Sequence, residues 1–205
     1  MLTLIWAILG STIGLNGVAQ DSNGVALSAS LIWTGQPVAN QTNGAFVAFR
    51  KQFQLTNVTN PVTLRIFADA RYMLWVNGQY VQRGPSRFEP QAPEYDSLDI
   101  TPLAQSGSNT IVVLVTSRIS NGRVKMHAPG LTAHIVQAGQ TIAATDATWK
   151  WSGQIRYRKA TTDWPNIYDE VDARAESGDW TLPAYNDTAW ATTQSTSNSW
   201  GALTA

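Results

Sequence analysis

The sequence contains no cysteine. Disulfides, thiolate zinc sites and thiol catalysis are therefore excluded, and core packing alone must hold the fold. Charge is scarce too. Only 14% of the residues are charged, where a globular domain carries about a quarter. Fourteen basic residues balance fourteen acidic ones, so the composition offers no basic face for a nucleic-acid backbone. Helical periodicity is missing beyond the apolar start. Of the two histidines, His127 and His134, neither belongs to a metal pair at helical spacing, and His134 reads as a half-exposed strand residue. There is no Gly-x-Ser-x-Gly elbow to accompany the serines, histidines and aspartates.

What is there points to β structure and export. Residues 2–15 are almost wholly apolar, and Gly17, Val18 and Ala19 are the small residues a signal peptidase reads. Residues 1–19 are expected to be a secretory signal, too short for a comfortable membrane span. That makes the chain secreted or periplasmic, with no membrane contact after cleavage. The sequons at Asn40, Asn57 and Asn186 agree with export. Residues 20–29 read as a lead-in.

The organising stretch is residues 68–101, centred on Asn77-Gly78. An Asn-Gly pair between β-rich runs predicts a hairpin with a type I′ turn. Around it, residues 46–55 alternate with Val47, Phe49, Phe53 and Leu55 on one face, and residues 61–69 repeat the period of two. A turn at Thr101-Pro102-Leu103 is predicted with Thr101 as cap. Residues 110–117 read as a strand buried on both faces. Residues 131–136 and 141–144 form a hairpin around Ala138-Gly139. Residues 149–157 are a last β-like segment, with Trp149 and Trp151 on one face. Short strands with turns between them predict an all-β, antiparallel jelly-roll β-sandwich of the galactose-binding type over residues 30–160. Residues 161–205 are expected to be a linker and the start of a second, incomplete module. Trp149, Trp151, Trp164, Trp180 and Trp190 offer a candidate docking face, with buried packing the favoured account of Trp149 and Trp151.

At this point the residues carry a resemblance. Ala68-Asp69 with Arg71-Tyr72, Val76-Asn77-Gly78, Arg83-Gly84-Pro85 with Arg87 and Pro90, and Tyr95-Asp96 with Asp99 resemble the N-terminal β-sandwich of α-L-rhamnosidases of glycoside hydrolase family 78. Tyr168-Asp169, Asp172-Ala173-Arg174, Trp180, Pro183, Asp187 and Trp190 resemble the start of the next sandwich in those enzymes. The resemblance implies an accessory region. The family's catalytic carboxylates lie in an (α/α)6 barrel that this chain does not contain. A non-catalytic carbohydrate-binding module is one reading. A brace that packs on a catalytic (α/α)6 domain is another. A fragment of an active rhamnosidase is the third.

Sugars lay apolar C–H faces on aromatic rings and give their hydroxyls to charged and amide groups. The loop 83–94 after the hairpin reads as the working surface, flanked by Trp75, Tyr80, Phe88 and Tyr95. The candidate contacts to a rhamnoside-type glycan are Arg71, Trp75, Asn77, Arg83, Arg87, Tyr95 and Asp96. For the arginines, ion pairs that lock the loop remain an alternative. The carboxylates Glu89, Glu94, Asp96 and Asp99, then Asp169, Glu170, Asp172 and Glu176, read as loop and linker charges. No catalytic pair is named, no cofactor is expected, and calcium held by loop oxygens stays open.

Overall fold

Alternation along residues 46–55 decides the middle of the molecule. The computed structural model describes residues 27, 29–35, 44–86, 88–117, 129–158, 161–163, 166–175, 178–197 and 200–204. The expected signal and most of the lead-in, together with Arg87, His127 and Trp164, lie outside the described residues. Strand β2 (Phe46–Leu55) turns Val47, Phe49, Phe53 and Leu55 into one core, as the period of two predicts. It pairs antiparallel along its whole length with β7 (Gly107–Thr116). The apolar run in β7 is buried on both faces. Ile111, Val113 and Val115 enter the main core, while Val112 and Leu114 enter a second cluster on the far side of the sheet.

Two antiparallel sheets make the sandwich. One has the order β13 (Ala191–Thr192), β10 (Lys150–Ser152), β2, β7, β4 (Arg71–Val76) and β5 (Gln79–Gly84). The other runs β14 (Gln194–Ser195), β1 (Ile32–Trp33), β8 (Gly130–Gln137), β3 (Val62–Asp69) and β6 (Asp96–Asp99), with β9 (Gln140–Ala144) on β8 as well. A separate hairpin joins β11 (Thr161–Asp163) to β12 (Asn166–Tyr168). Leu64 and Ile66 of β3 and Leu131, Ala133 and Ile135 of β8 meet Phe49, Leu74 and Val113 in the core between the sheets. Trp149 is fully buried there and donates its Nε1–H to the Ala144 carbonyl at 2.8 Å. Trp151 packs at the core's margin.

The central hairpin forms where Asn-Gly predicts it. Asn77 and Gly78 both take positive φ, 51° and 81°. Asn77 does more than turn the chain. Its Nδ2 donates to the Leu103 carbonyl and to Asn109 Oδ1, each at 2.8 Å, and its Oδ1 accepts the Thr110 N–H at 2.8 Å. These bonds tie the hairpin tip to the 3-10 turn Thr101–Leu103 and to the middle strand β7. Thr101 sits inside that turn rather than capping it. Asp99 Oδ1 accepts the Thr101 N–H at 2.9 Å, and the Thr101 hydroxyl accepts the Val62 N–H at 2.7 Å. Asn77→Ala loses all three side-chain bonds and puts a residue with a Cβ and no local hydrogen bond at positive φ. The expected cost is about 2–3 kcal/mol, read as a lower urea midpoint with an unchanged slope.

Residues 178–195, set apart in the sequence as the opening of a further module, close both sheets. Strand β13 pairs with β10, and β14 pairs with β1 in the other sheet. Thr193 between them donates its N–H to the Trp149 carbonyl at 3.0 Å and its hydroxyl to the Asp146 carbonyl at 2.7 Å. Trp180 is buried against Phe46, Ala48, Val112, Leu114 and Ile155. The strands here are two residues long, too short to show a period.

Candidate functional site

Strand alternation sorts the hairpin into two faces. Tyr72, Leu74 and Val76 point into the core, which leaves Arg71, Met73 and Trp75 on the outer face of β4. Strand β5 is the edge of its sheet, and its register sets Arg83 opposite Met73 and Tyr80 opposite Trp75. Cross-strand partners share a face, so Arg71, Trp75, Tyr80 and Arg83 lie together. The Trp75 ring stands edge-on to Tyr80 at 5.8 Å and to Trp180 at 5.5 Å. Trp180 backs Trp75 from below, and Tyr80 is left 52% exposed. Arg71 and Arg83 are both exposed, and neither makes an ion pair or a hydrogen bond among the described residues. Leu182, 46% exposed, borders the patch beside Gly78, where a Cβ would come within 2.7 Å of it.

The other candidates go elsewhere. Asn77 has its amide committed to the turn. Tyr95 is buried. Asp96 lies at the sandwich edge, half-buried, and accepts a short hydrogen bond from the Tyr72 hydroxyl, which itself accepts the Gln82 Nε2–H at 2.8 Å. Burial pushes the Asp96 carboxyl above its ordinary range, against the opposing effect of the Tyr72 hydroxyl. Burial, then Asp96, raises Tyr72 so far that it stays a proton donor. Gly84 is required here because a Cβ would overlap the Tyr72 ring and the Asp96 carboxylate. The structure therefore brings together Arg71, Trp75 and Arg83, and adds Tyr80. The signal for Tyr80 is the hairpin register, which pairs it with Trp75.

The loop after the hairpin is engaged by the chain's own tail. The Gly201 N–H donates to the Pro90 carbonyl at 2.8 Å, Thr204 N–H to Pro93 at 3.0 Å, and Tyr95 N–H to Thr204 at 2.9 Å. Phe67 stands edge-on to Phe88 and to Trp200, and Trp200 Nε1 donates to Asp69 Oδ2 at 3.2 Å.

Several aspartates have structural tasks. Asp187 takes Arg50 Nε at 2.9 Å and Lys150 Nζ at 2.7 Å. Asp172 takes Arg174 Nε at 2.9 Å, with Arg158 at 3.5 Å. Asp99 and Asp179 accept the backbone N–H groups of Thr101 and Thr181. Glycoside hydrolysis needs one protonated and one ionised carboxyl facing a sugar, whereas these groups are occupied by local partners. Among the described residues no group of three or more His, Asp or Glu side chains is placed to hold a metal ion.

His134 is a correction to the sequence reading. It is buried, at 3% exposure, because the outer face of β3 and β8 is covered, along with Arg65, Asp69 and Thr132. Thr132 Oγ1 donates to the Ala29 carbonyl at 3.3 Å, so the chain ahead of β1 lies against this face. His134 Nε2 bonds Thr141 Oγ1 at 2.8 Å. Burial, then the Arg65 charge across the strand pair, holds the imidazole below its ordinary value of 6.5. A histidine depressed in the folded state stabilises fully above the unfolded value. That contribution is lost as pH falls through the folded one. Urea midpoints at about pH 7.5 and about pH 5 should therefore drop more for the natural chain than for His134→Gln. Equal drops would remove His134 as a source of acid sensitivity.

The sequence profile described as "Alpha-L-rhamnosidase N-terminal domain" matches residues 58–205. No curated protein matches. Among solved structures, a GH78 family rhamnosidase of Bacillus sp. GL1 is 36% identical, with a TM-score of 0.79 over 88% of this chain and 20% of that one. An α-L-rhamnosidase from Aspergillus terreus is 24% identical, with a TM-score of 0.68 over 83% of this chain and 21% of that one. A lectin from Pleurotus ostreatus shares the fold, with 23% identity and a TM-score of 0.55 over 82% of this chain and 41% of its own. The chain spans about a fifth of the length of these rhamnosidases.

Proposed function

Because the chain belongs to the α-L-rhamnosidase N-terminal domain family, we propose that it is a non-catalytic accessory sandwich that holds a rhamnoside-type glycan on the outer face of β4 and β5. The observation that carries this reading is Tyr80. Its ring is exposed yet braced by Trp75, which Trp180 backs, and Arg83 and Arg71 follow along the same strand face with no ion pair or hydrogen bond among the described residues. A braced ring loses little conformational entropy when a sugar stacks on it, and free guanidiniums offer donors to hydroxyls. The commitment of Asp96, Asp99, Asp172, Asp179 and Asp187 to structural partners supports a non-catalytic role. The apolar stretch at residues 2–15 supports action outside the cytoplasm.

An NMR titration of the full chain with L-rhamnose tests the proposal. Shifts are expected at Trp75, Tyr80 and Arg83, and Tyr80→Ala should weaken binding at least tenfold. A calcium chelator should change nothing. Saturating sugar with no shifts on this face would sink the reading. A second reading, a brace against a catalytic domain, is favoured by Leu182 and Tyr80, which lie exposed side by side with the hairpin tip. It predicts no sugar shifts, and broadening at Leu182 and Tyr80 when a rhamnosidase catalytic barrel is added.

A further inference from the structure

The proposed glycan face carries more positive charge than a neutral sugar requires. Arg83 stands opposite Met73, and Arg71 lies two residues along β4 from that position. Diagonal neighbours of this kind are about 7–8 Å apart across an antiparallel pair. Two guanidinium arms from such positions reach one anion between them. Three other arginines have acids: Arg50 has Asp187, and Arg158 and Arg174 share Asp172. Arg71 and Arg83 have none among the described residues, and both are exposed.

A guanidinium only donates, and its planar fork matches a carboxylate with two parallel bonds. A neutral pyranose is better served by amide or carboxylate groups that accept as well as donate. The arginine pair further along the face from Tyr80 is therefore matched to an acid.

Resting on the glycan-binding reading above, we infer that the preferred ligand is an acidic glycan, with a hexuronate carboxylate held between Arg71 and Arg83 and an apolar sugar face on Tyr80. The ring supplies stacking common to many sugars, and the arginine pair supplies the selection.

The test compares three ligands by NMR titration of the full chain: L-rhamnose, a disaccharide of L-rhamnose and D-glucuronic acid, and the same disaccharide with its carboxyl reduced to an alcohol. The acidic disaccharide should bind at least tenfold more tightly than its reduced form at low salt. That advantage should shrink as sodium chloride is added, because exposed charges are screened. In Arg71→Gln and Arg83→Gln the two disaccharides should bind alike. Both positions are exposed, so circular dichroism should show an unchanged fold. Equal binding of the two disaccharides to the natural chain, with shifts at Tyr80, would overturn this inference and leave the glycan reading standing. No shifts with any ligand would overturn both. Shifts from the acidic disaccharide spread over Arg158 and Arg174 as well would mean general charge attraction and would also overturn it.

Discussion

Replacing Arg50 with alanine should destabilise the protein by about 3–5 kcal/mol, the usual cost of breaking a buried ion pair from one side. Arg50 is 1% exposed, although it lies on the outer side of its sheet. All three of its nitrogens donate. Nε bonds Asp187 Oδ2 at 2.9 Å, Nη1 bonds the Trp180 carbonyl at 3.1 Å, and Nη2 bonds the Pro183 carbonyl at 3.0 Å. The guanidinium also lies 5.8 Å from the centre of the Tyr185 ring. Alanine would strand two main-chain carbonyls and leave Asp187 with Lys150 alone. Lysine should not rescue the loss, because a point charge cannot serve three divergent acceptors. Asp187→Asn should cost less, since an amide still accepts from Arg50. Urea unfolding of the three variants checks the order. A loss below about 1 kcal/mol for Arg50→Ala, the range of a surface ion pair, would show that this arginine does not anchor the tail.

Trp180→Ala should cost a similar amount, about 3–5 kcal/mol, the range for emptying a large buried aromatic site. The indole packs with Phe46, Ala48, Val112, Leu114 and Ile155, and its edge supports Trp75. Its removal should therefore have a second consequence. Trp75 loses its backing, and Tyr80 loses the surface that orients it. On the proposed glycan reading, affinity at the β4–β5 face should fall with stability, although Trp180 lies behind Trp75 and outside the proposed contact. The double variant with Arg50→Ala should cost clearly less than the sum of the two, because either change releases the same segment. Full additivity would mean that the arginine and the tryptophan hold independent parts of the tail.

The strands that carry a local pattern were legible in the sequence. The alternation of β2 and β3, the Asn77-Gly78 turn and the Ala138-Gly139 hairpin all follow from neighbours a few residues apart. The tail was not legible. Its strands show no period, and its docking depends on Arg50, which lies 137 residues before Asp187. An arginine in an alternating strand reads as solvent-facing, and nothing local says that a distant segment will cover it. His134 was misread for the same reason. For the candidate site, residue types led to the loop after the hairpin, whereas the surface proposed above is the strand face of the hairpin itself. The loop rich in Arg, Gly and Pro is held by residues 200–204, while the open surface is a strand face whose composition follows from register. Trp75 and Arg83 were found by chemistry, and Tyr80 was noticed only as a neighbour of the loop.

The five residues 191–195 add a strand to each sheet, with Thr193 as the joint. During synthesis this makes the closing of both sheets a late step, followed by the contacts of residues 200–204 with the loop after the hairpin. Strand β1 has left the ribosome long before its partner β14 exists, and the growing protein must keep the rims at β1 and β10 open meanwhile. Unpaired rims of this kind are where two nascent chains join by mistake. Between the emergence of β10 and that of β13 both rims lack the partners they have in the finished fold.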